Sequence, residues 1–279
     1  MTQGVLLFAQ NNSHIDYVKQ AQFCASRIKK YLQLPVCLAT DNLEYLKQNY
    51  KNYKVYFDEI VELQRHPVNY RKKFRDGLYS EKTLEWRNLS RADAWDVTPF
   101  AKTIVMDTDL IIGNNTLLKA FDYNQEFLIA KESIDIKTNR YIPELKRISD
   151  RSIDMYWATL FYFEKTDNTK LLFDLIKHIR DNWSFYRLTY KIIEKKFRND
   201  FAFSIAIHII NGFKKTNWPL NMPGNLWHTL DRDILIDIKD DKFTFLLEKD
   251  WEYHAASVSQ LNVHVMNKFS LNRIIDEQL

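Results

Sequence analysis

The first forty-two residues constrain the fold most. "GVLLFAQNN" (4–12) is a short apolar run that ends in Gln10, Asn11 and Asn12. Residues 14–32 follow with helical spacing, Ile15, Val18, Ala21, Ala25, Ile28 and Leu32 falling on one face. "PVCLATDN" (35–42) is a second apolar run, closed by Thr40, Asp41 and Asn42. Strand, helix, strand, with polar residues gathered where strands end, predicts an α/β fold with a mostly parallel sheet flanked by helices. Ligands in such sheets bind outside the carboxyl ends of the strands.

The pattern continues. Residues 43–50 read as a short helix and "KVYFDEIVEL" (54–63) as a third strand. Residues 81–97 read as a helix, and "TIVMDTDLII" (103–112) as one strand running through Asp107 and Asp109. "QEFLIAK" (125–131) and "DMYWATLFYFEK" (154–165) are further strands, with helices at 168–182, 184–197 and 200–213. "RDILIDI", "KFTFLLE" and "LNVHVMN" are strand-like pieces of the last third. No repeat, low-complexity tract or linker interrupts the 279 residues, so one domain is expected.

Several classes are excluded. The five glycines form no G-x-G-x-x-G and no Walker-type loop, so any phosphate must be held by other groups. Cys24 and Cys37 make no C-x-x-C, and both read as packed thiols of a reducing compartment. The N-terminus has no basic region before its short apolar run, and no run is long enough to span a membrane, so a cytoplasmic protein is expected. His14, His66, His178, His208, His228, His254 and His264 show no zinc spacing. No G-x-S-x-G marks a nucleophile. Forty cationic against thirty-six anionic side chains give a net charge of +4, compatible with a phosphate-bearing ligand. Two stretches, "NYRKKFRDGLY" (69–79) and "KIIEKKFRND" (191–200), interleave cations with aromatics; a solvated face, a site for a polyanion such as DNA and a loop over a diphosphate are all open readings. Trp157, Trp218 and Trp227 are candidates for stacking on sugar rings or for core packing.

The chemistry centres on "AKTIVMDTDLIIGNN" (101–115), where Asp107 and Asp109 stand between two apolar runs. A buried charge is costly unless it is paired or metal-bound. A break at Thr108 would turn both carboxylates toward one site. A hard divalent cation there would take carboxylate oxygens from the chain and phosphate oxygens from a ligand. The competing reading is a turn whose aspartates are satisfied by backbone N–H groups.

The stretch "SRADAWDVTPFAKTIVMDTDLIIGNNTLLKAF" (90–121) resembles the core of the GT-A-fold glycosyltransferases, above all the retaining family-8 (glycogenin-like) type. The resemblance runs well over 1–130, loosely over 150–210 and at a few residues near the C-terminus. It implies a nucleotide-binding part at about 1–130 and an acceptor part at about 131–279, a nucleotide-sugar donor, most simply a UDP-sugar, and Mn²⁺ or Mg²⁺ bound by Asp107, Asp109 and His264, with His254 the competing late histidine. It places Ala9, Gln10 and Asn11 at the base and ribose, with Asp41 beside them and Asp107 near the ribose. Arg91 matches the basic residue that touches the donor. Lys268 lies near the family's diphosphate lysine but two residues early. Asp200 matches an aspartate close to the reacting carbon, a nucleophile or charge stabiliser in transfer with retention. Phe201 stands where the family has Gln, Asn267 where it has Gly, and "YWATLFYF" where many members have Asn-x-Gly. The acceptor (a glycan, a protein or a modified DNA base) and the oligomeric state are not specified by the resemblance. Two other classes compete: a sugar-phosphate nucleotidyltransferase, which calls for a Gly-rich loop where this chain has "AQNNSH", and a non-catalytic nucleic-acid-binding protein on a degenerate transferase fold.

Overall fold

The computed structural model describes residues 2–64, 70–87, 89–137, 140, 146–149, 152–239 and 241–278. Seven strands, numbered along the chain, form the main sheet: β1 (Gln3–Ala9), β2 (Val36–Thr40), β3 (Glu59–Glu62), β4 (Lys102–Met106), β5 (Phe127–Ala130), β6 (Trp157–Glu164) and β7 (Leu220–Asn221). Their order is β7-β5-β6-β4-β1-β2-β3. Every neighbouring pair is parallel except those of β6, which runs antiparallel to both β4 and β5. This is the expected α/β architecture. The central strands are buried on both faces, so they read as unbroken apolar runs rather than alternating ones.

Helices cover the sheet. Asp16 caps Tyr17–Tyr31, its carboxylate accepting from the Lys19 N–H, and Val18, Ala21, Cys24, Ala25 and Ile28 pack into the core. Thr166 and Thr169 form a reciprocal capping box at the start of Asp167–Asp181. That helix and Asn199–Ile210 pack Phe173 and Phe203 against Phe161 of β6, with ring centroids 6.1 and 4.9 Å away.

Three smaller sheets complete the structure. Leu110–Ile111, Val263–His264, Leu226–His228 and Ser133–Asp135 lie side by side in that order. Ile234–Lys239, Lys242–Lys249 and Glu252–Ser259 form an antiparallel meander over a second apolar core that includes Phe243, Phe245 and Leu271. Tyr70–Arg75 pairs with Glu81–Trp86 as a hairpin.

Four expectations need correction. Only Glu59–Glu62 of the run 54–63 is a strand, an exposed edge preceded by the single helical turn Tyr53–Tyr56. The helix expected at 81–97 is the second strand of the hairpin, followed by the 3-10 turn Ser90–Asp93 and one α-turn, Ala94–Val97. Leu84 takes it into strand by packing with Ile15 and Phe74, a long-range contact that outweighs local propensity. The helix expected at 184–197 stops at Thr189, and Lys191 adopts a φ of 55°. "TIVMDTDLII" is not one strand: β4 ends at Met106, and Leu110–Ile111 joins a different sheet. Glu252–Ser259 is a further strand, largely exposed and therefore without an apolar run to mark it. Residues 70–80 make the first strand and the turn of the hairpin.

Candidate active site

The end of β4 turns sharply. The Asp107 N–H donates to the Thr159 carbonyl at 3.0 Å, and the Leu110 N–H to the Asp107 carbonyl at 3.1 Å. The turn holds Thr108 and Asp109 buried. The late strand then docks on the chain that leaves it: Leu110 faces His264, and the Val265 N–H donates to the Asp109 carbonyl at 2.9 Å. This register brings His264 Nε2 to 3.2 Å from Asp109 Oδ2 and 3.8 Å from Asp107 Oδ2. One ligand atom from each of the three residues lies within 4.8 Å of the other two. Lys268, the first residue of the helix Lys268–Gln278, sets its ammonium on the same Asp109 Oδ2. Burial works against the charged form of Asp109, but Lys268 and His264 outweigh it and hold the carboxyl well below the usual range.

Arg91 leaves the 3-10 turn and reaches the Asp107 carboxylate with one amino group. The other donates to the Ala158 carbonyl at 3.0 Å. Asp200, in the first turn of Asn199–Ile210, accepts the N–H of the same Ala158 at 3.0 Å through Oδ1 and takes Arg198 at 2.7 Å through Oδ2. Arg91 and Asp200 therefore grip β6 at one residue from its two polar groups. Arg91 Nε is buried without a hydrogen-bond partner among the described residues.

These groups line one cavity of about 250 Å³ at the carboxyl end of the parallel strands. Gln10, Arg91, Asp107, Asp109, Asp200, His264 and Lys268 all face it. Three predicted residues do not. Ala9 is buried within β1. Asn11 caps the first helix, accepting from the Val18 N–H at 3.0 Å, and borders a neighbouring groove. Asp41 does not line the cavity; its carboxylate, almost fully buried, lies 2.8 Å from Arg87, which does. His254, another late histidine, is exposed on the strand Glu252–Ser259, away from the cluster.

The hairpin supplies what motif reasoning did not assign by residue. Lys72, Phe74 and Trp86 close one side of the cavity. The Lys72 ammonium sits 4.9 Å from the Trp86 ring centroid and 5.6 Å from that of Phe74. Burial, with Lys268 and Arg198 nearby, pulls its pKa down to about 8. The signal was present in the basic-aromatic run 69–79, of which Asn69 lies outside the described residues. Trp157 lines the cavity, whereas Trp218 packs on Phe127 at 5.8 Å and Trp227 on the second core. Asn267, the departure after the late His, acts locally. Its Oδ1 accepts the Ser270 N–H at 3.0 Å and caps the last helix.

The donor set fits a hard divalent cation: two carboxylates and one imidazole converge where the Lys268 ammonium already rests on one carboxylate oxygen. Around it the described lining carries six cationic side chains against four carboxylates, an environment suited to a ligand of several negative charges.

No protein-family model matches the chain, and no curated protein matches it. Among solved structures it is similar to the glycosyltransferase GlyE of Streptococcus pneumoniae TIGR4, at 11% identity over 75% of this chain and 43% of that one, with a TM-score of 0.42. It is similar to the galactosyltransferase LgtC, solved with donor and acceptor sugar analogs, at 10% identity over 72% and 70%, with a TM-score of 0.42. It is also similar to the bifunctional IspDF from Campylobacter jejuni, at 10% identity over 74% and 47%, with a TM-score of 0.38. The chain thus spans less than half the length of GlyE and of IspDF.

Proposed function

We propose that the chain is a metal-dependent glycosyltransferase that moves a sugar from a nucleotide-sugar, most simply a UDP-sugar, to an acceptor hydroxyl. The observation that carries this reading is the Asp107–Asp109–His264 cluster at the floor of a cationic cavity, where the parallel strands end. Asp107, Asp109 and His264 would hold Mn²⁺ or Mg²⁺, which when bound neutralises a diphosphate and stabilises its departure. Lys268, Arg91 and Lys72 would hold the phosphates from three sides and take up the charge that develops as the sugar–diphosphate bond breaks. Phe74 and Trp86 offer apolar faces to the nucleoside. Asp200 faces the cavity with both carboxylate oxygens already engaged. We assign it the stabilisation of positive charge at the anomeric carbon, compatible with the retention that the family-8 resemblance implies. The acceptor hydroxyl attacks that carbon and its proton leaves with the diphosphate.

The test is calorimetric titration of UDP into the protein with and without Mn²⁺, repeated on Asp109→Ala. Mn²⁺-dependent binding that disappears in the variant supports the reading. Absence of binding by every nucleoside diphosphate, with or without metal, overturns it. Hydrolysis of a panel of UDP-sugars then selects the donor.

A further inference from the structure

A surface beside the cavity mouth has no part in the chemistry above. The helix Trp183–Thr189 buries Trp183 but turns Phe185 and Leu188, three residues apart and hence on one face, to solvent at 64% and 66% exposure. The turn that follows exposes Ile193 at 88%. It is fastened from below, the Trp183 indole donating to the Lys195 carbonyl at 2.9 Å. Phe213, 66% exposed, continues the strip: its ring lies 5.5 Å from His208, whose ring lies 5.8 Å from Tyr190. Ile210 is exposed beside it. Five large apolar side chains in the open are more than scattered surface residues.

The same two segments carry Arg187, Lys191, Lys195, Lys196, Lys214 and Lys215, with Glu194 the one acid in 183–196 and 210–217. Lys215 pairs with Asp154 at 2.7 Å. Apolar tips surrounded by cations are the composition of a surface that rests on an anionic bilayer: the rings and branched chains enter the headgroup region while the cations meet lipid phosphates. A second copy of this chain would set the cations of one face against those of the other. A nucleic acid backbone would find the cations but no use for Leu188 and Ile193. The turn 191–198 that exposes Ile193 also sends Lys196 and Arg198 into the cavity, so docking here sets the site against the bilayer.

We infer that this face docks the protein peripherally on anionic membranes and presents the cavity to an acceptor held in or on the bilayer. The test is flotation of the full chain with phosphatidylcholine vesicles, with and without phosphatidylglycerol. Binding to the anionic vesicles is expected. A variant carrying Phe185→Ser, Leu188→Ser and Phe213→Ser should lose about ten-fold or more of its partition. Lys191→Gln with Lys214→Gln should lose about five-fold per charge. Both sets are exposed, and circular dichroism checks that they fold. No partition onto anionic vesicles, or partition unchanged in the serine variant, overturns the inference. So does concentration-dependent dimerisation abolished by the serine substitutions, or duplex DNA binding that requires the lysines while vesicles are not bound. UDP binding is measured separately, and its outcome leaves the docking result standing on its own.

Discussion

Lys72 shows how much one side chain can depend on its surroundings. Its sequence neighbours mark only a basic stretch. The hairpin lays it on Trp86 and Phe74, half-buried, where Lys268 and Arg198 add to the penalty on its charge. An anion in the cavity would hold the proton on. Binding would therefore take up a proton above pH 8, and affinity should fall as the pH rises from 7 to 9. Lys72→Met should weaken UDP binding about ten-fold at pH 7, the scale of a charge-assisted hydrogen bond. It should also flatten that pH dependence; calorimetry in buffers of different ionisation enthalpy measures both. An unaltered pH profile in the variant would remove Lys72 from the site.

Among elements, the short strand after the DTD turn depends on Gly113. A Cβ there would stand 2.3 Å from the Leu261 carbonyl oxygen and 3.1 Å from its nitrogen, backbone atoms that cannot swing aside. The Gly113 N–H also donates to Asn262 Oδ1 at 2.9 Å. Gly113→Ala should therefore cost about 1–3 kcal/mol by urea unfolding. Because the contact opens the seam between Leu110–Ile111 and Val263–His264, it should also weaken Mn²⁺ binding, read by titration of the free-ion electron paramagnetic resonance signal. Normal Mn²⁺ affinity in a folded variant would mean that His264 does not depend on this seam. From the sequence "IIGNN" reads only as a turn; the close approach of residues 261–262, some 150 positions away, is not written locally.

At the scale of the whole molecule, Arg140 ties distant parts together. Its guanidinium reaches Asp135 at 2.5 and 2.6 Å, Asp233 at 2.7 and 2.9 Å, and the Glu248 carbonyl at 2.8 Å. Asp233 also accepts the Glu248 N–H at 2.8 Å and the Leu230 N–H at 2.6 Å. Arg140→Met leaves two buried carboxylates without their cation and should cost about 3–5 kcal/mol, seen as a lower urea midpoint at constant slope. Arg140→Lys should restore only part, since an ammonium cannot make the forked contacts. Full stability in either variant would show the network to be replaceable. Asp135, Arg140 and Asp233 carried no motif, and nothing in their spacing announces them.

What the sequence determined by itself was the set of buried strands and which charged residues stand at their ends. β1, β2, β4, β5 and β6 are legible because strands covered on both faces must be apolar throughout, and the charges that interrupt them must have a reason. Asp107 and Asp109 were visible for that cause, and His264 and Lys268 through the resemblance. Tertiary structure decided how those groups meet. The break after Met106, the pairing of Leu110 with His264, the grip of Arg91 and Asp200 on Ala158, and the hairpin that carries Lys72 over the cavity all join residues far apart in the chain. Local propensity and periodicity act over a turn or a strand; register and long-range packing are set by surfaces that exist only once the sheet has formed.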